Sequence, residues 1–224
     1  MFLDDLRQEY EDIHNDKKKL QKLHEKIGKL RFLDPACGCG NFLIIAYREL
    51  RLLELDIVTK LLQGQQVTSI NDYFLIDVDQ FYGIEYEEFP SQIAQVAMWL
   101  MDHQLNTLAS LQFGEYYKRI PLKKSATIVH GNALRTNWQS LIDPMPWEKN
   151  STRFHYIFGN PPFIGKQLQN EAQKADMDLI FTKVKGAGVL DYVSAWYIKS
   201  GDYLSYYQKD EKELPKTKVA FVST

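Results

Sequence analysis

Residues 30 to 43 constrain this chain more tightly than any other stretch. Leu30-Arg31-Phe32-Leu33-Asp34 is a short, mostly apolar run closed by an acid. It passes straight into a loop of small residues, Pro35-Ala36-Cys37-Gly38-Cys39-Gly40, and Asn41-Phe42-Leu43 then opens a helical pattern. Strand, glycine loop and helix in immediate succession form the first unit of a doubly wound α/β sheet, where ligands bind at the carboxyl ends of the strands. Glycines there admit a ligand to the backbone, and the first helical amides point at it. A dinucleotide fingerprint would need glycine where Leu43 stands. Asp34 would also oppose a pyrophosphate, whereas it could pair with an ammonium. The loop therefore favours a cationic ligand such as S-adenosylmethionine over NAD.

The rest of the chain repeats the alternation. Strands are expected at Gln80–Glu85, Ala126–His130, Phe154–Gly159 and Lys218–Ser223. Helices are expected from Asn41 to about Leu55, from about Pro90 to Asn106, and from about Leu190 to Tyr206. This predicts a doubly wound, mostly parallel sheet of Rossmann-like type. Residues 56–79 read as an irregular extension, a helix end followed by a hairpin. Ahead of the first strand, Leu6, Ile13, Leu20 and Ile27 recur every seven residues, which predicts one helix over residues 3–30, stopped by Gly28. Its charged face is read as solvated over a packed stripe, with a partner-binding coiled coil as the alternative. The expected organisation is a helical segment, 1–29, packed on a catalytic core, 30–224. Because the sequence closes on the apolar strand Val219-Ala220-Phe221-Val222, the core is expected to be incomplete after its fifth strand. The raw edge would then be open to self-association.

Composition excludes several classes. With 224 residues and 45% apolar content, the chain can bury one sizeable core. No apolar run approaches the roughly 20 residues of a membrane span and no signal peptide opens the chain, so a cytoplasmic protein without membrane contact is expected. Cys37 and Cys39 are too close for an unstrained disulfide or a zinc framework, and the five histidines are dispersed, so no metal site is expected. The formal net charge is −2. A domain that grips nucleic acid by itself usually carries a clear basic excess, which is missing here.

Two further strand ends carry chemistry. Phe81-Tyr82-Gly83-Ile84-Glu85 closes the second strand on a carboxylate that can accept from both hydroxyls of a ribose. His130-Gly131-Asn132-Ala133-Leu134 closes the third, where Asn132 could meet an adenine edge or simply cap a turn. Past the fourth strand stands Asn160-Pro161-Pro162-Phe163. Two successive prolines fix the backbone and remove two amide donors, leaving carbonyls as acceptors. With the Asn160 side-chain carbonyl they can accept both hydrogens of an exocyclic amino group, while Phe163 offers a face for stacking.

These residues resemble the amino-methyltransferases of the class I S-adenosylmethionine-dependent fold. Asp34-Pro35-Ala36-Cys37-Gly38-Cys39-Gly40-Asn41-Phe42 is similar to their cofactor motif, with Cys39 where Ser is usual, and Asn160-Pro161-Pro162-Phe163 to their catalytic motif in its DNA adenine-N6 form. Asp79 to Glu85, Ala97 to Gln104, Leu190 to Val193 and Trp196-Tyr197 are similar to the methyltransferase region of single-polypeptide type II restriction–modification enzymes. The likeness runs over residues 30–224. It implies transfer of a methyl group from S-adenosylmethionine to N6 of a flipped adenine in double-stranded DNA. By position, Asp34, Pro35, Ala36, Gly38, Gly40, Asn41 and Phe42 would line the methionine end of the cofactor. Glu85 would take the ribose, with Tyr86, Asn132 and Ala133 near the adenine. Asn160 and the Pro161 carbonyl would hold the target amine, with Pro162 fixing the turn and Phe163 stacking on the base.

Three departures stand out. Asn132 replaces an Asp common among relatives, the glycine-rich motif that normally precedes the first helix is absent, and the target-recognition domain is expected to lie outside these residues. DNA would then be held mainly elsewhere. Methylation of an RNA base or a protein glutamine is the alternative chemistry, and a cofactor-binding fragment without turnover is the alternative outside catalysis.

Overall fold

The computed structural model describes residues 2–63, 73–113, 125–142, 153–182, 189–207 and 216–223. In chain order they form α1 (Phe2–Ile13), α2 (Lys17–Ile27), β1 (Phe32–Asp34), α3 (Asn41–Leu62), β2 (Phe81–Glu85) and α4 (Glu88–Phe113). Then follow β3 (Thr127–His130), β4 (Tyr156–Gly159), α5 (Glu171–Ile180), α6 (Ser194–Tyr207) and β5 (Lys218–Phe221). The five strands lie in the order β3-β2-β1-β4-β5, and every pairing is parallel. Strand order reverses between β1 and β4, so the switch point of this doubly wound sheet lies there. The Rossmann-like expectation holds, and each expected strand is present within two residues of its expected bounds.

Alternation along the strands sorts the core into two layers. Phe32, Phe81, Tyr156 and Phe158 face α1 to α4, while Leu33, Tyr82, Ile84 and Ile157 face Trp138, α5 and α6. On the first face Phe32 stacks between Phe81 (4.7 Å) and Tyr156 (5.5 Å), and Phe2 reaches in from α1 to Tyr156 (4.6 Å). Side chains as fully enclosed as Phe32 and Phe81 each contribute about 1.5–3 kcal/mol.

The helices depart from expectation in several places. The single helix over 3–30 is two, because Asp16 turns its side chain back to accept from the amides of Lys18 (3.1 Å) and Lys19 (3.2 Å), capping α2 afresh. The heptad survives the break, with Leu6, Leu20 and Ile27 all buried. Gly28 does cap α2, but with ordinary helical dihedrals (φ −64°), and a Cβ there would meet Leu75 at 2.7 Å. Close packing, not a left-handed turn, requires glycine at that position.

Helix α3 runs seven residues past its expected end, so part of the supposed irregular stretch is helical. The extension packs Leu55, Val58 and Leu62 against Phe74 and Ala109. The expected hairpin falls partly on residues 64–72, outside the described residues. Beyond them, buried Glu54 pairs with Arg51 (2.7 Å) and accepts from the amides of Leu75 (2.5 Å) and Ile76 (2.9 Å), steering the chain into β2. Helix α4 likewise runs to Phe113, seven residues past its expected end, α6 begins at Ser194 instead of Leu190, and α5 lies where no element is expected. Among the described residues, no helix is long and apolar enough to cross a membrane, and β5 forms one edge of the sheet.

Candidate functional site

The residues immediately past β1, β3 and β4 and the last residue of β2 converge on one cleft of about 410 Å³. Pro35, Ala36, Gly38, Glu85, Tyr86, Asn132, Ala133, Asn160 and Pro162 all line it. This is the crevice that a doubly wound sheet opens beside its switch point.

The glycine loop is built by positive backbone angles. Gly38 (φ 53°) and Gly40 (φ 86°) are the two residues with positive φ among those described, a region costly to residues that carry a Cβ. Gly40 starts α3 and approaches α4 so closely that a Cβ would lie 3.1 Å from that of Ala94. Between the two glycines and Ala36, Cys37 folds inward over Gly83, where a Cβ would lie 2.7 Å from its sulfur. Burial there pushes the Cys37 thiol far above the usual range, so it is an inert packing group. Cys39 is exposed.

Glu85 locks the loop to β2. Its Oε2 accepts from the Gly38 amide (2.8 Å) and its Oε1 from the Glu87 amide (3.0 Å). Each oxygen keeps a second lone pair, so the carboxylate remains a usable acceptor at the cleft wall.

Asp34 lies under the cleft. It is fully enclosed; Oδ1 accepts from the Ala36 amide (3.0 Å), and Oδ2 is buried with no hydrogen-bond partner. Burial, reinforced by the nearby Glu85 charge and only partly opposed by the Ala36 amide, raises its pKa to about 7. Gly159, the last residue of β4, packs directly against this carboxylate, and a Cβ there would collide with Oδ1.

Asn132 takes its turn-capping role. Its Oδ1 accepts from the Leu134 amide (2.9 Å), and its Nδ2 donates to Asp176 Oδ2 (2.8 Å). Asn160 and Pro162 are exposed at the mouth, Pro161 is buried beneath them, and Phe163 is 40% exposed. Of the anticipated residues, Asp34, Gly40, Asn41, Phe42, Pro161 and Phe163 do not line the cleft itself.

A second wall is made of residues that the sequence did not assign to the site. Asn170, Ala172, Gln173 and Asp176 enter from α5 and the turn before it, joined by Ile164, Tyr192 and Trp196. The signal for this helix was present in Asn170 and Gln173, which form a reciprocal capping box. Trp196 donates through Nε1 to the Pro35 carbonyl (3.0 Å), tying α6 to the glycine loop.

The sequence matches the pattern of the family described as MmeI, DNA-methyltransferase domain, over residues 10–224. The chain belongs to that family. It is similar to "DNA methyltransferase A" of Bacillus subtilis (strain 168), at 38% identity over 228 residues, covering 100% of this chain and 24% of the relative. A putative type II restriction enzyme and methyltransferase of Methanocaldococcus jannaschii shares 28% identity over 113 residues, half of this chain and 9% of its own. The solved structure of the type IIL restriction–modification enzyme MmeI in complex with DNA superposes with a TM-score of 0.84 at 49% identity, covering 92% of this chain and 27% of MmeI. This MmeI-type methyltransferase domain therefore spans about a quarter of the length of those two longer matches.

Proposed function

We propose that this chain transfers a methyl group from S-adenosylmethionine to the N6 amino group of adenine in DNA, within a restriction–modification system. One observation carries the reading. Glycine-loop residues (Ala36, Gly38), the β2 carboxylate (Glu85) and the Asn-Pro-Pro motif (Asn160, Pro162) are far apart in sequence yet open on the same cleft.

The residues present fit the cofactor. Asp34, enclosed beneath the cleft with Oδ2 unpaired, accepts from the Ala36 amide and so shapes the glycine loop that would hold the methionine end. The free lone pairs of Glu85 suit the two hydroxyls of a ribose. Tyr86, Asn132 and Ala133 line the same side and would flank an adenine. When bound, S-adenosylmethionine supplies an electrophilic methyl on a sulfonium sulfur.

The chain's own residues prepare the nucleophile. Asn160 Oδ1 and the Pro161 carbonyl accept the two hydrogens of the target amine. Holding both favours a pyramidal nitrogen whose lone pair is withdrawn from the ring and aimed at the methyl. Pro161 and Pro162 fix that turn without offering competing donors. Phe163, exposed beside them, stacks on the flipped base. Rate enhancement then comes chiefly from orientation. With a net charge of −2, this domain contributes little of the phosphate grip, which falls to other parts of the assembly.

Calorimetric titration with S-adenosylhomocysteine and scoring of tritiated methyl incorporation test the reading. Binding to the wild-type protein and label in DNA are expected. Label confined to RNA or to protein would replace DNA by one of those substrates.

A further inference from the structure

Asp176 is 2% exposed, yet it belongs to the cleft wall. Three side chains converge on it, two from the loop after β3 and one from the turn before α6. Oδ2 accepts from Asn132 Nδ2 (2.8 Å) and from the Tyr192 hydroxyl (2.8 Å), and Oδ1 accepts from Arg135 Nε (2.6 Å). A carboxylate buried this deeply persists only where donors fill its lone pairs. Burial and the bond to Asp176 push the Tyr192 phenol far above the ordinary tyrosine range, keeping it a neutral donor.

Each end of this node reaches a different part of the site. On one side Asn132 is pinned twice, since its Oδ1 also accepts from the Leu134 amide. On the other, the Tyr192 amide donates to the Ile164 carbonyl (3.0 Å), and the Ile164 amide donates to Asp191 Oδ1 (3.0 Å). Gln169 Nε2 adds a second donor to the Ile164 carbonyl (3.1 Å). Ile164 directly follows Phe163, so both of its backbone groups are fixed at the exit of the Asn160–Phe163 loop. A continuous hydrogen-bonded path thus runs from the loop after β3, through Asp176 and Tyr192, to the loop after β4.

We propose that Asp176 is a positioning residue: it sets the spacing between the loop after β3 and the loop after β4. The identity of the two ligands so spaced rests on the function proposed above. An in-line transfer between them is sensitive to displacements of about 1 Å, which gives the tie a purpose beyond stability.

Amide hydrogen exchange, followed by mass spectrometry on the whole protein, tests the tie without any ligand. Asp176→Ala should speed exchange in residues 131–136 and in residues 163–168, and leave the middle of α3 unchanged. Arg135 is half exposed, so its guanidinium can hydrate when the carboxylate is removed. Should that variant fail to fold, Tyr192→Phe decides, because it deletes a single hydroxyl. It should still speed exchange at 131–136, on the far side of Asp176. Unchanged exchange at 131–136 in Tyr192→Phe, or at either loop in Asp176→Ala, overturns the proposal.

A kinetic readout separates positioning from mere stability. At a temperature where all proteins are folded, Asp176→Ala should lower kcat and weaken S-adenosylhomocysteine binding, each on the order of tenfold. Tyr192→Phe should change both in the same direction and by less. Unaltered kcat in both variants would contradict the role. A wild-type protein that bound no S-adenosylhomocysteine would instead contradict the proposed function, and the exchange result would still judge the tie.

Discussion

Gly159 at the end of β4 lies against the buried carboxylate of Asp34 at the end of β1, with no room between them for a methyl group. The two residues sit side by side at the switch point, one below the glycine loop and the other just before Asn160. Any side chain at 159 must displace either Asp34 or the Asn-Pro-Pro turn.

Gly159→Ala should therefore destabilise the fold by about 1–3 kcal/mol, the usual cost of overpacking. Thermal or urea unfolding checks it. A variant as stable as wild type would show that the β1–β4 contact is looser than described.

Asp34 gives stability a definite pH dependence. Its pKa rises from 3.8 to about 7 on folding because the carboxyl is desolvated. Below about pH 4 it is protonated in folded and unfolded chains alike and costs nothing. Between about pH 4 and 7 the unfolded chain ionises first, and stability falls by up to about 4 kcal/mol. Asp34→Asn keeps an acceptor for the Ala36 amide and removes the titration. Its stability relative to wild type should improve by about 2–3 kcal/mol between pH 5 and pH 8; parallel pH profiles would contradict the burial argument.

Glu85 holds the glycine loop and, in the proposed function, also takes the ribose. Glu85→Ala leaves the Gly38 and Glu87 amides without their acceptor, which should cost about 1–2 kcal/mol of stability. It should also weaken S-adenosylhomocysteine binding at least about tenfold by calorimetry, one tenfold step corresponding to about 1.4 kcal/mol. Unchanged affinity in a folded variant would remove Glu85 from the cofactor site.

Asn160→Ala should separate binding from chemistry. Asn160 is exposed at the cleft mouth, so stability should change by less than about 0.5 kcal/mol. Methyl transfer should fall by about a hundredfold or more, as when a preorganised polar contact is lost, while cofactor affinity stays close to wild type. Parallel loss of both would contradict the assignment of Asn160 to the target amine.

Much of this site could be read from the chain because strand ends carry its chemistry. Asp34, Glu85, Asn132 and Asn160 each stand at or just beyond an apolar run, and a parallel sheet must bring such positions to one side. What the sequence does not reveal is which of them face the cleft. Asp34 turned inward, a consequence of its packing against Gly159. Asn132 spent its side chain on the Leu134 amide and Asp176, an outcome that only a partner on a distant helix decides. Helix α5 was hidden because its sequence, Glu171 to Ile180, has little apolar stripe, although its capping box was legible. The break before α2 was missed because a seven-residue repeat continues in phase across a two-helix hairpin.

In the proposed reaction the cleft methylates adenine at N6 through the Asn160–Phe163 turn. Its most direct test is nucleoside analysis of DNA treated with tritiated S-adenosylmethionine, using wild type and Asn160→Ala side by side. The account predicts label in N6-methyladenine with wild type and none above background with the variant. Label in methylated cytosine, or N6-methyladenine formed equally by Asn160→Ala, would contradict it.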